Sequence, residues 1–228
     1  MNGWIGILYI IGTIIVYVCM KQLYNKVYTP VLVPTATSTL ILVIALSLFQ
    51  VDYDTYMIGG KWIEELLGPA VVALAYPLYR NRHVLVDYKW PIAGGVIMGS
   101  MIGIVSGILL SIVWRVDDEV IRSLAQKSVT SPVAMDIAML IEGSPSLAAV
   151  YVMVAGITGA MVGPHLLKKL NINHYISVGT ALGSASHGIG TAKALELSPE
   201  TAAISSISMT LSAIVTVMLC PILIQWIL

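Results

Sequence analysis

Two runs of this sequence combine residue types that could hold an anion and move a proton. The first is GTALGSASHGIGTAKALE (179–196), where Ser184, Ser186 and Thr191 place hydroxyls around one imidazole, His187. Gly188 and Gly190 beside it keep the backbone open to close approach by a ligand or another chain segment. His187 can hydrogen-bond a carboxylate or carry a coupling proton, because an unperturbed imidazole titrates near pH 6.5. The plainer reading of a lone histidine is a structural one. The second run is SVTSPVAMDIAMLIEG (128–143). Thr130 or Ser131 can cap a helix there, and Pro132 suits its first position, where a missing N–H costs nothing. Free amides are then expected near Val133, Ala134 and Met135, carrying partial positive charge that suits an anion. A helix restarting at Ser186 or Thr191 would do the same in the first run. Asp136 lies one turn after Pro132. An acid inside an apolar segment is a functional candidate by default, and the competing reading is a solvated acid in an ordinary loop. Lys193 and Glu196 suit a simple pair across one helical turn.

Other chemistries find little footing. There is no G-x-S-x-G elbow, no H-E-x-x-H pair and no Walker loop. Ser186 beside His187 is the one nucleophile–base pairing on offer, and neighbours on one segment normally point apart, so no enzyme is expected. Cys19 and Cys220 sit in separate apolar runs without ligand-like neighbours, which gives neither a disulfide framework nor a metal site. No cofactor is expected beyond a coupling proton or sodium ion.

The elements that must position these runs belong to a membrane. Hydrophobic residues make up 57% of the chain and charged ones 11%, less than half the roughly 25% that a water-facing globule carries. Twelve basic and twelve acidic residues cancel, which leaves no field to draw nucleic acid. The opening MNGWIGILY has no basic stretch before its apolar run, and reads as a retained helix rather than a removed leader. A span needs about 20 largely apolar residues. Stretches 1–20, 27–51, 91–114, 143–167 and 201–228 read plainly as helices, while 170–192 is richer in Gly and Ser. An all-α polytopic membrane protein is expected, with five to seven transmembrane helices and two broken or re-entrant segments.

Charge orients the spans. With Lys21/Lys26, Arg80/Arg82/His83/Lys89 and Lys168/Lys169 cytoplasmic, the N-terminus and the acidic loops Asp52/Asp54 and Asp117–Glu119 lie outside. Segment 128–141 then has both ends outside and should enter and turn back. Segment 175–195 would enter from the cytoplasm, with a full span as the alternative. Gly95, Gly99, Gly103 and Gly107 recur every fourth residue and make a smooth helix face for close packing, or a rail for a moving neighbour. Such a face also suits homodimerisation. LGPAVVALAYPLY (67–79) and TSPVAMDIAMLIE (130–142) echo each other as proline-led short segments. One domain over 1–228 is expected, with N-terminal helices in 1–60 and repeat-like units at 61–116 and 127–228.

At LGPAVVALAYPLY, KSVTSPVAM (127–135), GITGAMVGP (156–164) and GSASHGIGTAKA (183–194) the sequence resembles the LrgB/CidB family of bacterial membrane proteins. Ser131-Pro132 stands where that family usually has Thr-Pro, a change that keeps the capping chemistry. The resemblance implies two traditions in the bacterial plasma membrane. One is antiholin-like control of murein hydrolase export and lysis with a small LrgA/CidA-type partner. The other is carriage of small carboxylates such as pyruvate, glycolate or glycerate. A lysis modulator needs mainly apolar helices that assemble. It does not need two polar breaks facing each other, so the residues favour the carrier. In that reading the amides after Pro132 (Val133, Ala134) and around Ser186–Gly190 bind the carboxylate. Thr130, Ser131 and Ser184 add hydroxyl contacts, and His187 or Asp136 carries the coupling proton.

Overall fold

The computed structural model describes residues 2–27, 29, 32, 34–66, 69, 72, 75–80 and 82–228. The described elements are all helical: α1 (Asn2–Val27), α2 (Pro34–Leu48), α3 (Tyr53–Glu65), α4 (Ala75–Arg80), α5 (Arg82–Asp87), α6 (Lys89–Val113), α7 (Asp118–Leu124), α8 (Ser131–Leu140), α9 (Pro145–Lys169), α10 (Tyr175–Leu197) and α11 (Pro199–Ile227). Among the described residues, four helices are long and apolar enough to cross a bilayer: Trp4–Val27, α6, α9 and α11. α2 is a shorter apolar helix of 15 residues. The chain is an all-α, multi-pass membrane protein.

It forms two compact units, Met1–Val72 and Ala73–Leu228. In the first, α1 runs through Lys21 and Lys26 to Val27, so the expected second span at 27–51 is the shorter α2 instead. The acidic stretch around Asp52 and Asp54, expected as loop, opens α3. Gly59 of α3 lies against the backbone of Gly6, and Tyr56 bonds Thr13 at 3.0 Å and meets Tyr9 edge-on. Of the echo expected between 67–79 and 130–142, residues 67, 68, 70, 71, 73 and 74 lie outside the described residues.

In the second unit, α6 and α11 run parallel. Ser100 bonds Ser212 at 2.9 Å, Ile92 and Val96 cluster with Ile204 and Ile207, and Ile104 and Ile108 cluster with Cys220 and Ile224. α9 runs the other way. Around these three helices the polar segments fold as hairpins. Arg122 donates to the Ile141 carbonyl at 3.0 Å and the Ser123 hydroxyl accepts from the Ser144 amide at 2.7 Å, which ties the two ends of the α7–α8 segment together. α10 breaks at His187 (φ 42°, ψ −131°), giving half-helices 175–186 and 188–197. Gly190 packs against the Leu182 carbonyl, Val178 clusters with Ala194, and Tyr175 and Leu197 wall one cavity of about 510 Å³. Residues eight apart on a continuous helix would be about 12 Å distant, so the chain reverses at His187. The full span held as the alternative for 175–195 is not formed.

Each hairpin is followed by one long helix, and the two pairs run in opposite directions. Lys89, Lys168 and Lys169 lie at one end of this unit. Asp117, Asp118, Glu119 and Glu142 outnumber Arg115 and Arg122 at the other, the charge split that separates cytoplasmic from outer faces.

Candidate functional site

The glycine stripe of α6 is the seat on which the two hairpins approach. A Cβ on Gly95 would strike Thr180, one on Gly99 would touch Ser184 at 3.6 Å, and one on Gly103 would lie 3.3 Å from the Ser128 hydroxyl. Gly99 and Gly103 are four residues, about 6 Å, apart along the helix axis. The hairpin tips therefore come within one helical turn of each other near the middle of α6. These stripe glycines meet neighbours in the same chain, while Gly95 and Gly99 keep an exposed side. Between the elements lies a cavity of about 540 Å³, walled by Gly95, Gly99, Gly103, Ser128, Thr180 and Ser184. Small-molecule sites run from about 300 to 1,000 Å³.

On α9 the glycines of GITGAMVGP take the other side of α10. Gly156 lies against the His187 ring, Gly159 against Ser186 and Gly163 against Leu182. His187 Nε2 lies 3.0 Å from the Val152 carbonyl oxygen. A carbonyl only accepts, so Nε2 carries the proton and Nδ1 of the neutral ring is an acceptor. The Val152 side chain packs with Val129 and Ala134 of the other hairpin, so both hairpins touch α9 at this residue.

Three buried hydroxyls have no hydrogen-bond partner among the described residues: Thr130, Ser184 and Ser186. Ser184 is 5% exposed and Ser186 1%. An unsatisfied buried hydroxyl costs about 1–3 kcal/mol, and native structures retain few without a reason. Around them the midsection is polar, with Ser100, Ser205, Ser208, Ser212 and Thr216 all buried, while apolar clusters lie above and below.

Other expected site residues fare differently. Thr130 caps α8 by backbone alone, its side chain making no capping bond. Ser131, Pro132 and Val133 are half-buried in the first turn. Ala134 is buried, and its amide already bonds the Thr130 carbonyl at 2.9 Å, so it is not a free donor. The free amides of this turn are Ser131 and Val133, since proline has none and the fourth residue closes the first helical bond. Asp136 is exposed, on the face away from buried Ala134, Ile137 and Ala138. Gly188 is also exposed, with nothing within 4 Å of an added Cβ, while Gly190 is consumed by the hairpin turn. Thr191 donates to the His187 carbonyl at 2.9 Å and pairs with Ser205, so its hydroxyl is structural. The second half-helix restarts directly after His187, neither at Ser186 nor at Thr191.

Sequence reasoning passed over Lys127, Ser128 and Thr180. Lys127 Nζ donates to the Gly103 carbonyl at 2.6 Å, deep along α6. Its signal was a charge at the edge of an apolar segment, where charge is ordinarily read as the segment's end.

A model of the LrgB-like family matches residues 13–226. The chain is 47% identical over 210 residues to the uncharacterized protein YxaC of Bacillus subtilis (strain 168), covering 92% of this chain and 91% of that one. It is 34% identical over 225 residues to the holin-like protein CidB of Staphylococcus aureus (strain Mu50), with 98% of each chain covered. No solved structure matches. With its apolar spans, this places the chain in the cell membrane as a multi-pass protein, and it belongs to the LrgB-like family.

Proposed function

We propose that the chain is a secondary transporter of small monocarboxylates of the pyruvate, glycolate or glycerate class, working by alternating access with an LrgA/CidA-type partner. One observation carries the reading: two oppositely directed hairpins meet on the α6 stripe, and three buried hydroxyls lack partners among the described residues, Ser184 on the α6 side of α10, Ser186 on its α9 side and Thr130 at the start of α8. A carboxylate accepts several hydrogen bonds at once. Thr130, Ser184 and Ser186 can donate to it, joined by the amides of Ser131 and Val133. Oppositely directed repeats with broken helices at mid-membrane are the architecture in which carriers expose one site to either side. His187 supplies the coupling. With Nε2–H committed to Val152, Nδ1 repels a carboxylate until it takes a proton, so anion and proton would enter together. Asp136, facing away, has no part in this.

Uptake of labelled pyruvate or glycolate into liposomes, with and without the partner, tests the proposal. Selective uptake driven by an inward proton gradient is expected, with His187→Gln losing the gradient dependence and Asp136→Asn keeping it. No uptake of any of these acids by the wild type with its partner removes the carrier reading.

The holin-like name of a relative supports a second reading, a modulator of lysis that acts by assembly. α1 offers a surface for that, with Trp4 82% and Leu8 68% exposed. Dye leakage without solute selectivity would favour it.

A further inference from the structure

We infer that Lys127 is the charge-matching group of this site: its ammonium leaves the Gly103 carbonyl for the carboxylate of the bound solute and makes the site choose an anion over a neutral isostere. This deepens the carrier reading and rests on it. Gly103 is ten residues from Val113, about 15 Å of helix, which puts the ammonium near the middle of a 25-residue span. A cation at that depth without a counter-charge is expensive. Among the described residues the one ion pair is Lys193–Glu196, far along α10. The acids nearest in sequence do not neutralise Lys127, because Asp117, Asp118, Glu119 and Asp136 are all exposed. Its other polar neighbours are neutral: the Gln126 amide nitrogen bonds the Ser123 carbonyl at 3.2 Å, and its oxygen faces the Cys220 thiol.

A lysine's flexible stem can carry its charge toward the headgroups. Instead its ammonium is held on a backbone carbonyl of Gly103, a residue that walls the 540 Å³ cavity. One carbonyl occupies one of three ammonium donors. The next residues along the tip, Ser128 against Gly103 and Thr130 with its unpartnered hydroxyl, set neutral donors beside the charge. A single ammonium among neutral donors matches one carboxylate. The preference follows from that fixed charge: carboxylates bind, and their uncharged amides do not.

The test uses the full chain in detergent, with pyruvate and pyruvamide as probes and calorimetric affinity as the readout. Wild type should prefer pyruvate by about tenfold or more, the worth of one hydrogen bond to a charged group. Lys127→Met should lose that preference, and Lys127→Arg should keep most of it. A second readout needs no variant: acylation of Lys127 by an amine-reactive ester, followed by mass spectrometry with Lys21 as reference, should be slowed by pyruvate and not by pyruvamide. Wild-type preference that persists in Lys127→Met, or acylation that ignores pyruvate, overturns the role of Lys127 and leaves the carrier reading standing. Wild type that binds none of pyruvate, glycolate and glycerate overturns both.

Discussion

Ser186 and Thr191 are five residues apart and both carry hydroxyls in the same run, yet they should respond to mutation in opposite ways. The Ser186 hydroxyl is buried without a partner, so Ser186→Ala removes an unsatisfied group and should leave melting temperature unchanged or raised. Ser184→Ala should behave alike. If these hydroxyls hold a carboxylate, the same variants should weaken pyruvate binding by about tenfold. Thr191→Val breaks the bonds to His187 and Ser205 and should lower stability by about 0.6 kcal/mol per bond, with binding preference intact. Thermal denaturation and calorimetry on the three variants separate the roles, and a Ser186→Ala that loses stability without losing affinity counts against the site. Residue type alone could not sort these hydroxyls. Ser, Ser and Thr in a glycine-rich run look equivalent until the neighbour across each one is known.

At the scale of elements, glycines decide where helices touch. Gly183 of α10 packs directly on the Ser205 backbone of α11, so Gly183→Ala has nowhere to put a methyl without separating the two helices. Gly94 of α6 has nothing within 4 Å of an added Cβ. Gly183→Ala should therefore sharply reduce monodisperse yield and melting temperature, whereas Gly94→Ala should be neutral or slightly stabilising, since alanine is the better helix former by about 1 kcal/mol. Size-exclusion profiles and thermal unfolding check the pair, and equal behaviour of the two would contradict the packing. The four-residue period of the α6 stripe was legible in the sequence and correctly signalled close packing. What packs there was not legible, because a smooth face serves a neighbour in the same chain and one in another chain equally well. Lys127 escaped notice for a related reason. Hydropathy counts a lysine as a boundary, and only the fold carries its ammonium inward to Gly103.

Taking the molecule whole, the reversal at His187 sets its topology. Since 175–186 and 188–197 return to the same end, a cysteine at Asn173 and one at Ser198 should react with an impermeant thiol reagent from the same side of the membrane, in a background lacking Cys19 and Cys220. A cysteine appended at the C-terminus should react from the opposite side. Labelling of Asn173 and Ser198 variants from different sides would restore a full span and dismantle the opposed-hairpin arrangement. The sequence by itself determined the membrane class, the long spans, the family and the two polar segments. Those follow from composition and from local rules on charge, proline and capping, which act over a turn or two of chain. Only the tertiary structure decided that α10 folds back and that Asp136 faces out while Lys127 faces in. It also decided which hydroxyls are left without partners. These outcomes depend on contacts between segments tens of residues apart, and a buried donor becomes unsatisfied only when everything around it has been placed.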